Sequence, residues 1–340
     1  MSNHSKRKEE HLALAKKYFT IKDNDFDRIE LVRPALPESR VSSAAIACEI
    51  LGKKVKAPFY INAMTGGSEK SKEINRAIGK ASRIGQIPFA TGSSSILAKE
   101  KDQLASFYVA REENPDGLFF ANVNPNTPAN TAKNIVQELQ ADALQIHINT
   151  VQELAMPEGD RDFVWIDKLK AIRDVVDVPV IIKEVGFGFD KASIELLQKN
   201  NFNLIDLGGA GGTNFAQIEN ARSSHPLPYL DELGLSTVKS ALIAEECGID
   251  FFASGGIRNA LDILKCLVLG AKSVGIANLF LQAYENSGED GLVETVLRFE
   301  DELAGLFALF GINNVNEAKK IKYALTKGLW KELIQIIVDD

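Results

Sequence analysis

A chain of 340 residues with 39 basic and 46 acidic side chains carries a formal charge of −7. Hydrophobic residues make up 45 % and charged residues 25 %, an ordinary globular composition with material for a large core, which excludes a disordered chain. The acidic balance argues against nucleic-acid binding, no apolar run approaches the ~18 residues of a membrane span, and Cys48, Cys247 and Cys266 are too scattered for a disulfide framework or CxxC metal site.

The first eleven residues, MSNHSKRKEEH, lack the apolar core of a signal peptide, so the expectation is a cytoplasmic chain. Residues 1–56 read as an extension: a basic helix-like segment holding 6-KRKEEH-11, then an irregular stretch. Eight apolar runs follow: 58-PFYINAM-64, 88-PFATG-92, 118-LFFANV-123, 143-ALQIHIN-149, 179-PVIIKEV-185, 204-LIDLGG-209, 250-DFFASGG-256 and 273-SVGIAN-278. Their starts lie 30, 30, 25, 36, 25, 46 and 23 residues apart, the span of a strand–loop–helix–loop unit. Unbroken apolarity, rather than alternation, marks strands buried on both faces of a parallel sheet. Amphipathic helical patterns lie between the runs, as at 69–85, 162–176 and 259–270.

Eight such units predict an α/β fold, a (β/α)8 TIM barrel with core 57–285. Residues 286–340 read as two or three helices closing its outer ring, and no linker marks a second domain within 1–340. A doubly wound open sheet is the alternative, but 64-MTGGSE-69 after the first run is not its GxGxxG fingerprint.

In such barrels chemistry gathers at the C-terminal ends of the strands. Those ends carry Ala63-Met64-Thr65, Gly92-Ser93-Ser94, Asn122, His147 with Asn149 and Gln152-Glu153, Lys183-Glu184, Gly208 to Thr213, Gly255 to Arg258, and Ala277-Asn278. The turns 254-SGGIRNALD-262 and 274-VGIANLF-280 each place backbone N–H groups at a helix start, which cradles a phosphate or merely makes a tight turn. The run 206-DLGGAGGTNF-215 lets a flat ring or a phosphate approach the backbone, and the long interval before strand 7 suits a mobile lid. Lys183 ends an otherwise apolar strand, so it either snorkels to solvent or points into the mouth. His147 and Asn149 share one strand face, as core residues or as site residues. Glu153 offers one carboxylate, enough for Mg²⁺ if a substrate phosphate supplies further ligands. The basic 6–11 run reads on its own as a solvated helix face. No cysteine stands where a nucleophile would, and no histidine follows strand 7, so a cofactor is the expected source of chemistry.

Taken together, Arg7, Lys8 and His11, 63-AMTGG-67, 92-GS-93, 147-HINTVQE-153, 206-DLGGAGGT-213 and 254-SGGIR-258 closely resemble the type 2 isopentenyl-diphosphate isomerases. The resemblance covers the whole chain in order. It implies interconversion of isopentenyl and dimethylallyl diphosphate with FMN, Mg²⁺ and NADPH as flavin reductant, in a homotetramer or homo-octamer. Residue by residue it implies FMN contacts from Ala63, Met64, Thr65, Ser93, Asn122, Lys183, Thr213, Gly256, Ile257, Arg258, Ala277 and Asn278. It implies diphosphate contacts from Arg7, Lys8, His147, Asn149 and Gln152, the metal on Glu153, and catalytic roles for Gln152 and Lys183. Two positions depart from the pattern. Gly208 stands where the family commonly has Ser, which leaves that flavin contact to the backbone or removes it, and Ser94-Ser95 replaces a common Gln-Arg.

The implied reaction is a 1,3-allylic proton shift through a state of tertiary-carbocation character. Reduced flavin would act as acid–base catalyst without net redox change, with Lys183 stabilising its anionic form. Rivals are an FMN-dependent 2-hydroxy-acid oxidoreductase, which should carry a histidine near the end of strand 7, and a non-catalytic flavin-binding barrel. An IMP-dehydrogenase-like enzyme would need a cysteine after strand 6, and residues 210–235 hold none.

Overall fold

The computed structural model describes residues 3–21, 23–41 and 43–337. Eight parallel strands close into a barrel in sequence order: β1 (Phe59–Ile61), β2 (Phe89–Ala90), β3 (Phe119–Val123), β4 (Ala143–Ile148), β5 (Val180–Glu184), β6 (Leu204–Asp206), β7 (Asp250–Ser254) and β8 (Ser273–Ile276). Each lies within one of the apolar runs, and β8 completes the ring by pairing Val274 with Phe59. The fold class is the (β/α)8 barrel that the spacing predicts.

Side chains alternate across the barrel wall. Phe120 of β3 turns inward against Tyr60 and Phe252, with ring centroids 5.4 and 6.2 Å away. Phe119 and Val123 face the helical layer instead. An antiparallel hairpin, Cys48–Ile50 with Lys53–Val55, adds Ile50 and Val55 to the inner aromatic cluster and so plugs the N-terminal end. The interior is therefore apolar below. Above it, toward the C-terminal mouth, the inward positions turn polar: Asn62, Asn122, Gln145, Lys183, Asp206 and Ser254, all buried.

The extension caps this mouth. Helix Asn3–Lys17 packs on helices Phe215–Arg222 and Asn278–Phe310. Glu10 pairs with Arg222 at 3.0 Å and Lys16 with Glu285 at 3.1 Å, while Asn278 Nδ2 donates to the Ala15 carbonyl at 3.1 Å. The stretch behind it is tied down as well, because Ile29–Leu31 pairs antiparallel with Tyr323–Leu325 and Arg28 meets Glu332 at 2.6 Å. Beyond β8 the chain adds more than helices. Helix Asn278–Phe310 breaks at Ser287–Gly288, and a 3-10 turn, Val315–Lys320, and that short strand precede helix Leu329–Ile337. The interval between β6 and β7, expected to be a mobile lid, holds helix Phe215–Arg222, capped by Asn214, and a 3-10 turn at Pro228–Glu232.

Candidate active site

Asp206 is the centre of the polar tier. Its Oδ2 accepts from Tyr60 Oη at 2.6 Å, Asn62 Nδ2 at 3.3 Å and Gln145 Nε2 at 3.4 Å, and lies 3.1 Å from Lys183 Nζ. Ser254 Oγ donates to Oδ1 at 2.5 Å. Lys183 thus points into the barrel rather than to solvent, 5 % exposed. Next to it, Glu184 takes the Phe187 and Gly188 N–H groups at 2.6 and 3.0 Å, and burial pushes its carboxyl up to about 8. Asn122 joins this tier to His147: its Nδ2 donates to Gln145 Oε1 at 3.2 Å and its Oδ1 lies 2.7 Å from His147 Nδ1.

The capping helix brings its cations to the same mouth. Lys8 Nζ donates to the Ser93 carbonyl at 3.3 Å, and burial together with the Arg7 charge lowers it to about 8. Burial, Lys8 and Lys183 push His147 down to about 3, so the lid lysine, the strand-5 lysine and the imidazole share one electrostatic space. Arg7 reaches Glu158 at 3.5 Å and the Met156 sulfur at 3.5 Å. His11 Nε2 lies 2.9 Å from Glu219 Oε1, which also accepts from Gln152 Nε2 at 2.7 Å, and Arg222 holds the other oxygen. Burial opposes the Glu219 charge, but these partners outweigh it and keep the carboxyl low.

The strand-4 exit is organised by its own side chains. Asn149 caps helix Thr150–Ala155 by accepting the Gln152 N–H at 2.8 Å, and its Nδ2 donates to the Val185 carbonyl at 2.8 Å, tying β4 to β5. Glu153 Oε2 accepts the Asp160 N–H at 2.7 Å. Burial and the nearby Asp160 and Glu219 charges raise Glu153, against the Asp160 N–H and the Arg7 charge. Among the described residues no group of three or more His, Cys, Asp or Glu side chains could hold a metal by itself.

The two glycine-rich turns differ in what they leave open. Helix Ala260–Val268 is closed by protein groups: Asn259 caps it, and Asp262 accepts the Arg258 N–H at 3.1 Å. The Arg258 guanidinium is held between Asp262 and Asp27, at 2.8 Å each. Helix Asn278–Phe310 begins at Ala277 with no side-chain cap, which leaves its N-terminal amides and positive dipole end to an anion. Asn278 Nδ2 and Thr213 Oγ1, 3.0 Å apart, flank that end. Where the glycine-rich run after β6 meets the turn after β7, backbone lies on backbone, since a Cβ on Gly212 would sit 2.7 Å from Gly256 N. Asn24 Nδ2 fastens the Gly256 carbonyl at 2.9 Å. At the strand-1 exit the Ala63 N–H is turned in toward Asn62 Oδ1 at 2.7 Å, the Thr65 hydroxyl turns away to Ser71 at 2.7 Å, and Met64 packs on the core.

The geometry suits an anionic, flat cofactor: a buried lysine, an uncapped long-helix N-terminus and glycine turns that admit only backbone. Comparison with known proteins agrees. The model of the FMN-dependent dehydrogenase family matches residues 98–324. An isopentenyl-diphosphate delta-isomerase of Limosilactobacillus reuteri is 40 % identical over 332 residues, covering 95 % of each chain. The same-named protein of Staphylococcus haemolyticus is 40 % identical, covering 93 % of this chain and 92 % of its own. The chain belongs to the isopentenyl-diphosphate delta-isomerases. Among solved structures, a flavocytochrome b2 variant superposes with a TM-score of 0.67 at 20 % identity, covering 95 % of this chain and 87 % of that one. A mandelate oxidase variant gives 0.63 at 15 %, covering 94 % and 90 %, and both likenesses speak to the barrel alone.

Within this isomerase framework, sequence reasoning passed over Asp206, Glu219, Asn24 and Asp27. A signal existed for Asp206, which interrupts an apolar strand just as Lys183 does. Gly208 has a structural account in this chain. Its φ is +50°, and a Cβ there would overlap the Glu184 carbonyl, whose strand-5 exit folds back so that the Gly186 N–H donates to the Gly208 carbonyl at 2.6 Å. Gly208→Ser should therefore cost about 1–3 kcal/mol of stability, read as a lower midpoint in thermal unfolding. An unchanged midpoint would show that the turn relaxes freely.

Proposed function

We propose that the chain interconverts isopentenyl and dimethylallyl diphosphate in the cytoplasm, with FMN in the barrel mouth and the diphosphate beneath helix Asn3–Lys17. The observation that carries this reading is the meeting of Lys8, His147 and Lys183 at one mouth, in a chain whose relatives bear the isomerase name over 95 % of its length. No helix among the described residues is long and apolar enough to cross a membrane.

We assign the flavin's phosphate to the Ala277 and Asn278 amides with Thr213, Gly256 and Ile257. Lys183 serves the ring's anionic edge, and Ala63, Met64, Thr65, Ser93, Asn122 and Gly208 line the ring. Arg258, engaged by Asp27 and Asp262, positions the turn instead of gripping the phosphate. When bound and reduced by NADPH, the flavin supplies the acid–base chemistry that the side chains do not. Arg7, Lys8, His147 and Asn149 hold the diphosphate, whose oxygens complete the shell of a Mg²⁺ on Glu153. Gln152, its NH₂ fixed by Glu219, presents its amide oxygen for orienting the alkene end. Assembly as a homotetramer or homo-octamer belongs to the same reading and rests on the family resemblance.

Reduced holoprotein should convert isopentenyl to dimethylallyl diphosphate under anaerobic conditions with NADPH needed only catalytically. NADPH consumed one-for-one with product would overturn the isomerase reading. In the same assay Glu153→Gln should raise the Mg²⁺ requirement and KM together while FMN stays bound.

Lys183→Met removes the one buried cation from the tier and leaves the Asp206 charge facing the flavin. The flavin reduction potential and kcat should both fall; an unchanged potential would take Lys183 out of the flavin site.

The lid lysine sets an alkaline limit. Lys8, lowered to about 8 by burial and Arg7, is charged below that pH and neutral above it. Its contribution to anion binding is therefore present below pH about 8 and lost above, so kcat/KM should decline through that region. Lys8→Arg should carry the decline to higher pH.

A further inference from the structure

The polar tier has a direction. The Asp206 carboxylate only accepts, so the Gln145 group 3.4 Å away must be its NH₂, which also faces the Tyr60 hydroxyl. Gln145 Oε1 is then turned to Asn122, which answers with Nδ2 at 3.2 Å. That leaves Asn122 Oδ1, an acceptor, 2.7 Å from His147 Nδ1. An acceptor at that distance requires the proton on Nδ1, and the neutral ring then carries its lone pair on Nε2.

We propose that Asp206 is a positioning residue that fixes His147 as the Nδ1–H tautomer, so that a diphosphate engages His147 Nε2 only as that nitrogen takes up a proton. The proposal rests on the diphosphate reading of the site given above. A lone pair facing a phosphate oxygen repels it. A proton from solvent, an O–H bond of hydronium breaking as the N–H bond at Nε2 forms and water leaving, turns the ring into a donor at both nitrogens, Nδ1 to Asn122 and Nε2 to the anion. The groups facing the ring explain why the proton waits for the ligand. Burial foremost disfavours an imidazolium, Lys8 from the capping helix and Lys183 from β5 add to it, and the Val123 carbonyl of β3 favours it. The negative charge of the diphosphate reverses that balance.

The test is ¹⁵N NMR of the histidine-labelled, full-length holoprotein at neutral pH, with His147→Gln assigning the signal. The free protein should show protonated Nδ1 and bare Nε2, and inorganic pyrophosphate should convert the ring to the doubly protonated form. Asp206→Asn gives Gln145 an acceptor or a donor to meet, and the pure Nδ1–H pattern should be lost. Gln145→Met cuts the same chain while keeping the Asp206–Lys183 pair, and should give the same loss even if Asp206→Asn does not fold. An Nε2–H ring in the free protein, an unchanged tautomer in every folded variant, or a ring left neutral by pyrophosphate would each overturn the proposal. Isopentenyl diphosphate that protonates His147 without being isomerised would support it and remove the isomerase reading instead.

Discussion

A lysine and an aspartate facing each other inside a barrel must be hydrogen-bonded on every side, because removing both from water costs several kcal/mol per ion. The Lys183–Asp206 pair meets that demand with Tyr60, Asn62, Gln145 and Ser254, drawn from β1, β4 and β7. Strands far apart in sequence are thereby committed to one register. Breaking such a pair by removing one partner typically costs about 3–5 kcal/mol. Here the neutral donors left around Asp206 soften the loss of Lys183, whereas loss of Asp206 strands the ammonium and four donors together. The tier is asymmetric, and Asp206 is its structural half.

The second dependence is on the extension. Asn24, Asp25 and Asp27 bind Gly256, Ser236 and Arg258, so the glycine turns after β6 and β7 are held by chain that precedes the barrel. Further toward the N-terminus, Glu10, His11 and Lys16 dock the capping helix on the helices after β6 and β8. A barrel supplies strand ends wherever eight strands close. The extension turns this one into a covered site, excluding water from a mouth whose charges act more strongly when dry.

The strands were legible because burial on both faces writes an unbroken apolar run, and all eight runs hold one. Lys183 and His147 were legible as polar interruptions of such runs, and the same signal at Asp206 went unused. Other parts could not be read this way. Tyr323–Leu325 is a strand only because Ile29–Leu31 supplies its hydrogen bonds from the far end of the chain. Helix Phe215–Arg222 sat inside an interval whose length suggested a mobile lid. Glu219 looks like any acidic helix residue, and its burial follows from the capping helix that lies over it. The two glycine turns looked alike in sequence, yet Asn259 and Asp262 close one while the other starts at Ala277 with no side-chain cap.

The same barrel carries flavocytochrome b2 and mandelate oxidase, so architecture does not choose the chemistry. Charge placement narrows it. The chain is acidic overall, and at its mouth three cations are answered within the protein: Lys183 by Asp206, Arg258 by Asp27 and Asp262, Arg7 by Glu158. Lys8 is different. Among the described residues no carboxylate pairs with it, and its Nζ donates to the Ser93 carbonyl. Beside it stands an imidazole that burial, with the Lys8 and Lys183 charges, keeps neutral. A half-buried ammonium without a carboxylate partner and an imidazole held neutral both favour a negative charge beside them. On the proposed reading of the site, an anionic substrate end would supply that charge to both at once, which would make recognition of the diphosphate and completion of the site's electrostatics a single event.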